Sequence, residues 1–331
     1  MWVLGCVAIL LAGLWVGAYV YARLLERRFP PQGQRIEVGP GVLHCVETPA
    51  KGAQRANVLL VHGASGNYAD LNVALGDRLA ALGFRVFSVD RPGHAWSDRL
   101  GARAQAAAPD AQAEWIREAI TSCGVEEAIV VVHSLAGALG LAMALNAPLF
   151  VRGLLLLAPA SHPWPGGVHW YYHVATSPLT GPAFRWLVVP WAAQAYLRRG
   201  LRSVFSPNST PLNYADRTGL ALVLRPWEFL HNAEDVADFE GHVERLCKSY
   251  PNIRTPTAIL TGDRDQVVYA DIHSFGCYRD IRGATLQVLP GVGHSPHYAC
   301  PDEVVAAIVE LDRRAEASLD SSLEPRREAA K

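Results

Sequence analysis

Three positions in this 331-residue chain pair a reactive side-chain type with a suggestive local setting. Ser134 follows the apolar run Ala128–His133, which reads as a strand, and opens a run of small residues, Leu135-Ala-Gly-Ala-Leu-Gly140, with helical character. A serine squeezed between strand end and helix start sits on a sharp turn with its hydroxyl projecting. The helix N-terminus then offers N–H groups and a positive dipole end to a developing oxyanion. The same spot also suits a helix-capping serine with no chemistry at all. His294 lies in the glycine-rich segment Pro290-Gly-Val-Gly-His294, after the predicted strand Thr285–Leu289. Two carboxylates, Asp263 and Asp265, lie in Thr261-Gly-Asp-Arg-Asp265, just past the predicted strand Thr257–Thr261. A serine nucleophile needs a base, and the base needs an acid that fixes its tautomer.

The elements that would position these residues alternate in type. Asn57–Val61, Phe84–Val89, Ala128–His133, Gly153–Leu157, Thr257–Thr261 and Thr285–Leu289 are short, β-rich apolar runs. Ala69–Leu82, Pro109–Cys123, Leu135–Leu145 and Pro301–Arg313 have helical spacing. Strands apolar on both faces, separated by helices, predict a mostly parallel sheet covered by helices. Ser134, His294 and either aspartate then all fall at the C-terminal ends of strands, the edge where such sheets place ligand sites. Arg35–Val38 and Val42–Glu47, split by Gly39-Pro40-Gly41, read as an antiparallel hairpin at the sheet edge. The alternation breaks between about 160 and 252, a stretch holding Trp164, Trp170, Trp186, Trp191 and Trp227 among repeated prolines. It reads as a helical insertion packed over the sheet, its aromatic rings lining an apolar pocket or forming a small core of their own.

Composition narrows the function. With 30 basic and 31 acidic side chains there is no basic excess, so no nucleic-acid partner is expected. Half the residues are apolar, enough for a large core. No repeat and no low-complexity tract is visible.

Residues 1–22 carry no Asp, Glu, Lys or Arg, and Arg23, Arg27 and Arg28 follow at once. About 22 helical residues span roughly 33 Å, enough to cross a bilayer core. A cleaved signal would carry its positive charge before the apolar run, so an uncleaved single-pass anchor is expected, with the body in the cytoplasm by the positive-inside rule. Outside this run five cysteines remain, an odd number without a disulfide-like pattern, as fits free thiols in a reducing compartment.

On these residues the chain resembles the α/β-hydrolase family over about residues 33–315. His62-Gly-Ala-Ser-Gly66 looks like the family's HGxxG oxyanion loop. Asp90-Arg-Pro-Gly-His-Ala-Trp-Ser-Asp98 looks like its DRPGxGxSD loop, and Val132-His-Ser-Leu-Ala-Gly137 like its nucleophile elbow. The resemblance implies an α/β-hydrolase fold, a mostly parallel sheet of about eight strands flanked by helices, with a helical lid. It also implies a Ser134–His294–Asp265 triad, with Asp265 preferred to Asp263, and an oxyanion hole from the backbone N–H groups of Ala64 and Leu135. No cofactor or metal is implied. The organisation expected is an anchor and basic flank over 1–28, core over 33–159, lid over 160–252, core over 253–315 and a frayed polar tail over 316–331.

One departure stands out. The family elbow is usually G-x-S-x-G, and here Val132 and Ala136 replace the glycines. A β-branched residue two before the nucleophile is expected to crowd the turn.

Serine at the elbow, rather than a carboxylate, suits acyl transfer. The expected function is hydrolysis of a small apolar carboxylic ester through an acyl-serine. The alternatives are a non-catalytic accessory or binding protein on the same fold, an amide hydrolase or aminopeptidase, a carbon–carbon hydrolase, or a cofactor-free perhydrolase. No obligate protein partner is evident. An aminopeptidase would use Glu228, Glu234, Asp235, Asp238 or Glu240 to hold the substrate amine, although a solvated helix face accounts for them too. His297 is expected as a surface-loop histidine, and His62 and His133 as structural hydrogen-bonders. Ser65 reads as a turn residue or extra oxyanion donor, and Asp90 and Asp98 as loop fixers. His169 and His173 have i, i+4 spacing but no third metal ligand in sight.

Overall fold

A computed structural model describes residues 2–39 and 41–328. Met1, Pro40 and 329–331, which belong to the expected anchor, hairpin turn and tail, lie outside the described residues. Eight strands form one sheet: β1 Gln34–Val38, β2 Gly41–Thr48, β3 Asn57–Val61, β4 Arg85–Val89, β5 Ala128–His133, β6 Val151–Leu157, β7 Thr257–Gly262 and β8 Thr285–Leu289. Their order is β1-β2-β4-β3-β5-β6-β7-β8. The first two strands pair antiparallel at one edge, and from β4 to β8 every neighbouring pair is parallel.

Strand composition explains the layering. Successive side chains of a strand point to opposite faces, and the central strands carry apolar residues on both. Leu59, Phe87, Val130, Val132, Leu154 and Leu156 pack on one face with Ile116, Ile120, Leu139 and Leu141 of helices Pro109–Ser122 and Gly137–Asn146. Val58, Leu60, Val86, Val131, Leu155 and Leu157 pack on the other with Leu71, Leu75 and Leu79 and with Val304, Ile308 and Leu311 of the C-terminal helix. Each such side chain contributes about 1.5–3 kcal/mol by leaving water.

Register aligns the strand ends that matter. His133 of β5 pairs with Leu157 of β6, Leu157 with Leu260 of β7, and Gly262 of β7 with Leu289 of β8. The segments leaving β5, β7 and β8 therefore emerge along one edge.

Between β6 and β7 the chain is helical, with Trp170–Thr176, Val189–Phe205, Pro226–Ala237 and Phe239–Leu246 as its main helices. Phe239, Val243, Tyr250 and Ile253 already belong to the main core, so the end of this stretch packs as part of the body. Trp186 and Trp191 pack on the N-terminal helix Trp2–Arg28. The C-terminal helix, expected to end near Arg313 and give way to a frayed tail, continues from Pro301 to Glu328. Its buried Asp312 binds Arg55 at 2.5 Å and Arg152 at 3.1 Å.

Candidate active site

Ser134 leaves β5 with φ of 55°, a left-handed conformation that non-glycine residues adopt only under constraint. The constraint is packing. A Cβ added to Gly63 would come within 2.8 Å of Ser134 Cβ, so the loop after β3 approaches the elbow as closely as a bare backbone permits. The carbonyl of Ser134 accepts the N–H of Ala160 from the loop after β6, pinning the turn from the other side.

The side chains then converge. Ser134 Oγ lies 2.9 Å from His294 Nε2, and His294 Nδ1 lies 2.8 Å from Asp265 Oδ2. All three residues are buried. The other oxygen of Asp265 accepts the N–H groups of Val267 at 2.8 Å and Val268 at 3.0 Å. Burial works to raise the Asp265 pKa, but the His294 ring and these N–H groups outweigh it and hold the carboxyl below its ordinary range. An ionised Asp265 takes the Nδ1–H of His294, which leaves Nε2 to accept the Ser134 hydroxyl proton.

Asp263 does not join this chain. Its Oδ1 accepts the Gly291 N–H at 2.6 Å and so shapes the turn that delivers His294. Ala64 sits in the close-approaching loop beside Ser134, and Leu135 is the first residue past the elbow. The neighbouring Ser65, with φ of 57°, donates its N–H to Asn232 Oδ1 at 2.6 Å, which holds its turn in place.

Val132 is accommodated rather than disruptive. Its side chain is fully buried, and its two methyl groups occupy the space a Cβ on Gly140 would need, 2.8 and 2.9 Å away. The missing side chain of Gly140 offsets the extra one of Val132, one helical turn past the elbow. The crowding argument for a non-catalytic protein thus loses its physical basis.

The surrounding polar residues mostly hold loops. His62 Nε2 accepts the Arg91 N–H at 3.0 Å, so its Nδ1–H donates to the Gly63 carbonyl at 2.8 Å. Burial, then the Arg91 charge, push its pKa down to about 4. Asp90 accepts the N–H groups of Tyr68 and Trp96 and contacts His44 at 2.7 Å, and Asp98 accepts the Val42 N–H at 3.0 Å.

His297, expected at the surface, is fully buried. The short helix Pro296–Ala299 turns its ring inward, where Nε2 lies 3.4 Å from Asp70 Oδ1. Asp70 also accepts the Tyr214 hydroxyl at 2.8 Å and lies 3.8 Å from His133 Nδ1. Burial opposes ionisation of Asp70, yet His297, His133 and Tyr214 outweigh it and keep the carboxyl well below its ordinary value. His133 Nε2–H donates to the His294 carbonyl at 2.9 Å, bracing the backbone that carries that ring. Burial and the rings of His297 and His294 push the His133 pKa down to about 3. Asp70, His133 and His297 could hold a metal, their ligand atoms lying within 4.8 Å of one another; His169 and His173 belong to no such group among the described residues. Asp70, Tyr214 and Asn232 were invisible in the sequence, because nothing local marks a polar residue that is bonded across the fold.

The acidic residues of the insertion are committed elsewhere. Asp235 binds the buried Arg91 at 2.7 Å and Arg99 at 2.6 Å, Glu234 binds Arg99 at 3.2 Å, and Asp238 binds Arg103 at 2.8 Å. Glu228, buried, binds Arg225 and accepts the N–H of Ala95, a residue held at φ of 41°. Glu240 is exposed. Glu228 and Asp235 are thus buried in ion pairs, Glu234 and Asp238 are half-buried in theirs, and only Glu240 keeps to a solvated face.

The family model described as "Alpha/beta hydrolase family" matches residues 58–307. The chain belongs to the alpha/beta hydrolase family. An uncharacterized protein of Mycobacterium tuberculosis (strain ATCC 25618 / H37Rv) is 26% identical over 259 residues, covering 74% of this chain and 71% of the relative. Among solved structures, an esterase from Exiguobacterium antarcticum superposes with a TM-score of 0.68 at 19% identity, covering 85% of this chain and 100% of its own. A thermophilic esterase from Thermogutta terrifontis gives 0.65 at 19%, covering 86% and 99%. A membrane phospholipase A gives 0.66 at 19%, covering 95% and 98%. At these identities the structural likeness speaks for the fold.

Proposed function

We propose that this alpha/beta hydrolase is a membrane-anchored serine hydrolase that cleaves an apolar carboxylic ester through an acyl-Ser134 intermediate. The observation that carries the reading is the hydrogen-bonded run from Ser134 Oγ through His294 to Asp265, at 2.9 and 2.8 Å. In the first half-reaction His294 Nε2 takes the hydroxyl proton as Ser134 Oγ attacks the ester carbonyl. The N–H groups of Ala64 and Leu135 receive the oxyanion, and His294 hands its proton to the leaving alkoxide. Water, deprotonated by His294, then frees the acid. Asp265 stays ionised throughout and stabilises the imidazolium.

Esterases and a membrane phospholipase A among the structural neighbours support an ester as substrate. The N-terminal helix, 27 residues long and with its uncharged stretch almost wholly exposed, supports a membrane anchor. The arginines that close it support a cytoplasmic position for the body by the positive-inside rule. An active-site-directed fluorophosphonate is expected to label the wild-type chain and to leave Ser134→Ala unlabelled. Equal labelling of the two would remove Ser134 as nucleophile.

A further inference from the structure

The N-terminal helix does not stand apart from the body. Trp15 stacks on Trp186 with ring centroids 4.6 Å apart and planes 4° from parallel. Trp191 lies against Gly17, where an added Cβ would meet its ring at 3.1 Å, and its centroid is 6.3 Å from that of Tyr21. Beyond these aromatic contacts come charged ones: Glu26 binds Arg225 at 3.0 Å and Arg28 binds Asp216 at 2.8 Å.

The order of these contacts fixes a depth. Trp15 precedes Arg23 by eight residues, roughly 12 Å along a helix axis. If residues 2–22 fill the hydrocarbon layer, Trp15 lies that far beneath the boundary marked by the arginines. Trp186, stacked on it, must lie at the same depth.

We propose that the segment Phe184–Tyr196 is a second membrane-inserting element, seated in the bilayer beside the anchor, and that the active site takes its acyl ester laterally from that bilayer. This rests on the anchor reading given above. Three features of the segment fit a lipid environment. Arg185 is its one ionisable side chain apart from the Tyr196 phenol, and its guanidinium is turned back onto the Ala175 carbonyl. Val188, Trp191 and Tyr196 are exposed, at 41%, 43% and 67%, as is the neighbouring Trp170 at 68%. Such a run of apolar side chains open to solvent marks an interaction surface. Lastly, the segment leads directly into Arg198, Arg199 and Arg202, all exposed.

That last feature supplies an independent check. Trp186 meets Trp15, and Trp191 meets Gly17 and Tyr21, so the two segments run in the same direction. Each passes from apolar to basic in that direction. Continuing the register sets Arg198, Arg199 and Arg202 near the level of Arg23, Arg27 and Arg28. Two basic clusters from distant parts of the chain thus share one plane, as expected for side chains meeting anionic headgroups.

The segment also reaches the site. Phe184 touches Phe229 at a centroid distance of 6.3 Å. Phe229 shares the helix Pro226–Ala237 with Asn232, whose Oδ1 holds Ser65 next to Ala64. An ester delivered at Phe184 is one helix away from the oxyanion loop.

The test uses the full chain in phosphatidylcholine–phosphatidylglycerol vesicles containing a phosphatidylcholine with a diazirine on its acyl chain. After irradiation, cross-linked peptides are mapped by mass spectrometry. Cross-links within both 2–22 and 184–196 are expected. Cross-links confined to 2–22 would overturn the proposal and leave the anchor standing; cross-links in neither would remove both. Substrate delivery is read separately with Val188→Lys, using Leu149→Lys, an exposed site on the opposite edge of the sheet, as control. Val188→Lys is expected to lower turnover of a vesicle-embedded long-chain ester by about tenfold while leaving a soluble short-chain ester nearly unchanged. Equal effects on the two esters, or an equal effect of Leu149→Lys, would overturn lateral delivery.

Discussion

The methyl groups of Val132 fill the volume that a side chain at Gly140 would occupy, at 2.8 and 2.9 Å. The side chain usually absent before the elbow is present here on the strand, the missing one is on the helix instead, and the helix still reaches the sheet. Restoring a side chain at Gly140 should therefore be costly. Gly140→Ala is expected to destabilise by about 1–3 kcal/mol through overpacking against Val132 and Leu154, despite the better helix propensity of alanine. Val132→Gly in the same chain should recover part of that loss. Urea unfolding of the three variants measures it, and a neutral Gly140→Ala would contradict the close approach.

The two aspartates after β7 should separate cleanly. Asp265→Asn is expected to reduce kcat by about 10⁴-fold by leaving His294 in the wrong tautomer. Asp263→Asn keeps an oxygen for the Gly291 N–H and should retain most activity, with a modest loss from the weakened turn. Comparable defects in both would mean that the acid has been misassigned.

Asn232 holds the N–H of Ser65, next to Ala64, whose N–H is proposed above to receive the oxyanion. Asn232→Leu should lower kcat by about ten- to a hundredfold with KM little changed, because a loop displaced by a fraction of an ångström weakens transition-state contacts more than ground-state ones. Asn232→Asp retains the acceptor oxygen and is expected to rescue much of the loss. A change in KM alone would point to a substrate contact instead.

The pair Arg91–Asp235 joins the loop after β4 to the insertion with both side chains essentially out of water. Asp235→Ala leaves the Arg91 charge buried and short of a partner, and should cost about 3–5 kcal/mol. Replacing both by Met and Leu should cost much less, which a double-mutant comparison by urea unfolding resolves.

Buried neutral histidines set an acid limit. Burial holds His133 down to about 3 and His62 to about 4 in the folded chain, against about 6.5 when unfolded. Between these values the unfolded state binds more protons, so stability is full above about pH 6.5 and falls as pH drops toward 4. Each such histidine contributes a slope of about 1.4 kcal/mol per pH unit in that window. Unfolding free energies at pH 5, 6 and 7.5 should show this fall, and His133→Asn should flatten it.

Sheet and site differ in how far they can be read from the chain. The strands of the sheet were legible because each is a short apolar run between polar breaks, and Asn57–Val61, Ala128–His133 and Thr285–Leu289 have the same limits in sequence and structure. Ser134, His294 and the Asp263/Asp265 pair were legible because each follows such a run directly. The burial of His297 was not, since it depends on Asp70, 227 positions away, and no local pattern encodes a partner at that distance. The partner of two tryptophans was hidden for a related reason. An aromatic cluster announces that it will be covered, but not by what, and for Trp186 and Trp191 the cover is the N-terminal helix. Gly140 as the counterpart of Val132 was hidden because the match is steric, between a strand residue and a helix residue, and neither alone is unusual.

The ordering of the sheet also has a consequence in time. Ser134 is supplied by β5, but the His294 ring that it meets arrives behind β8, the outermost strand and the last to be synthesised. On the function proposed above, a ribosome-bound chain would carry its serine without a base until the C-terminal strand had emerged and docked, so synthesis itself would keep the unfinished hydrolase harmless.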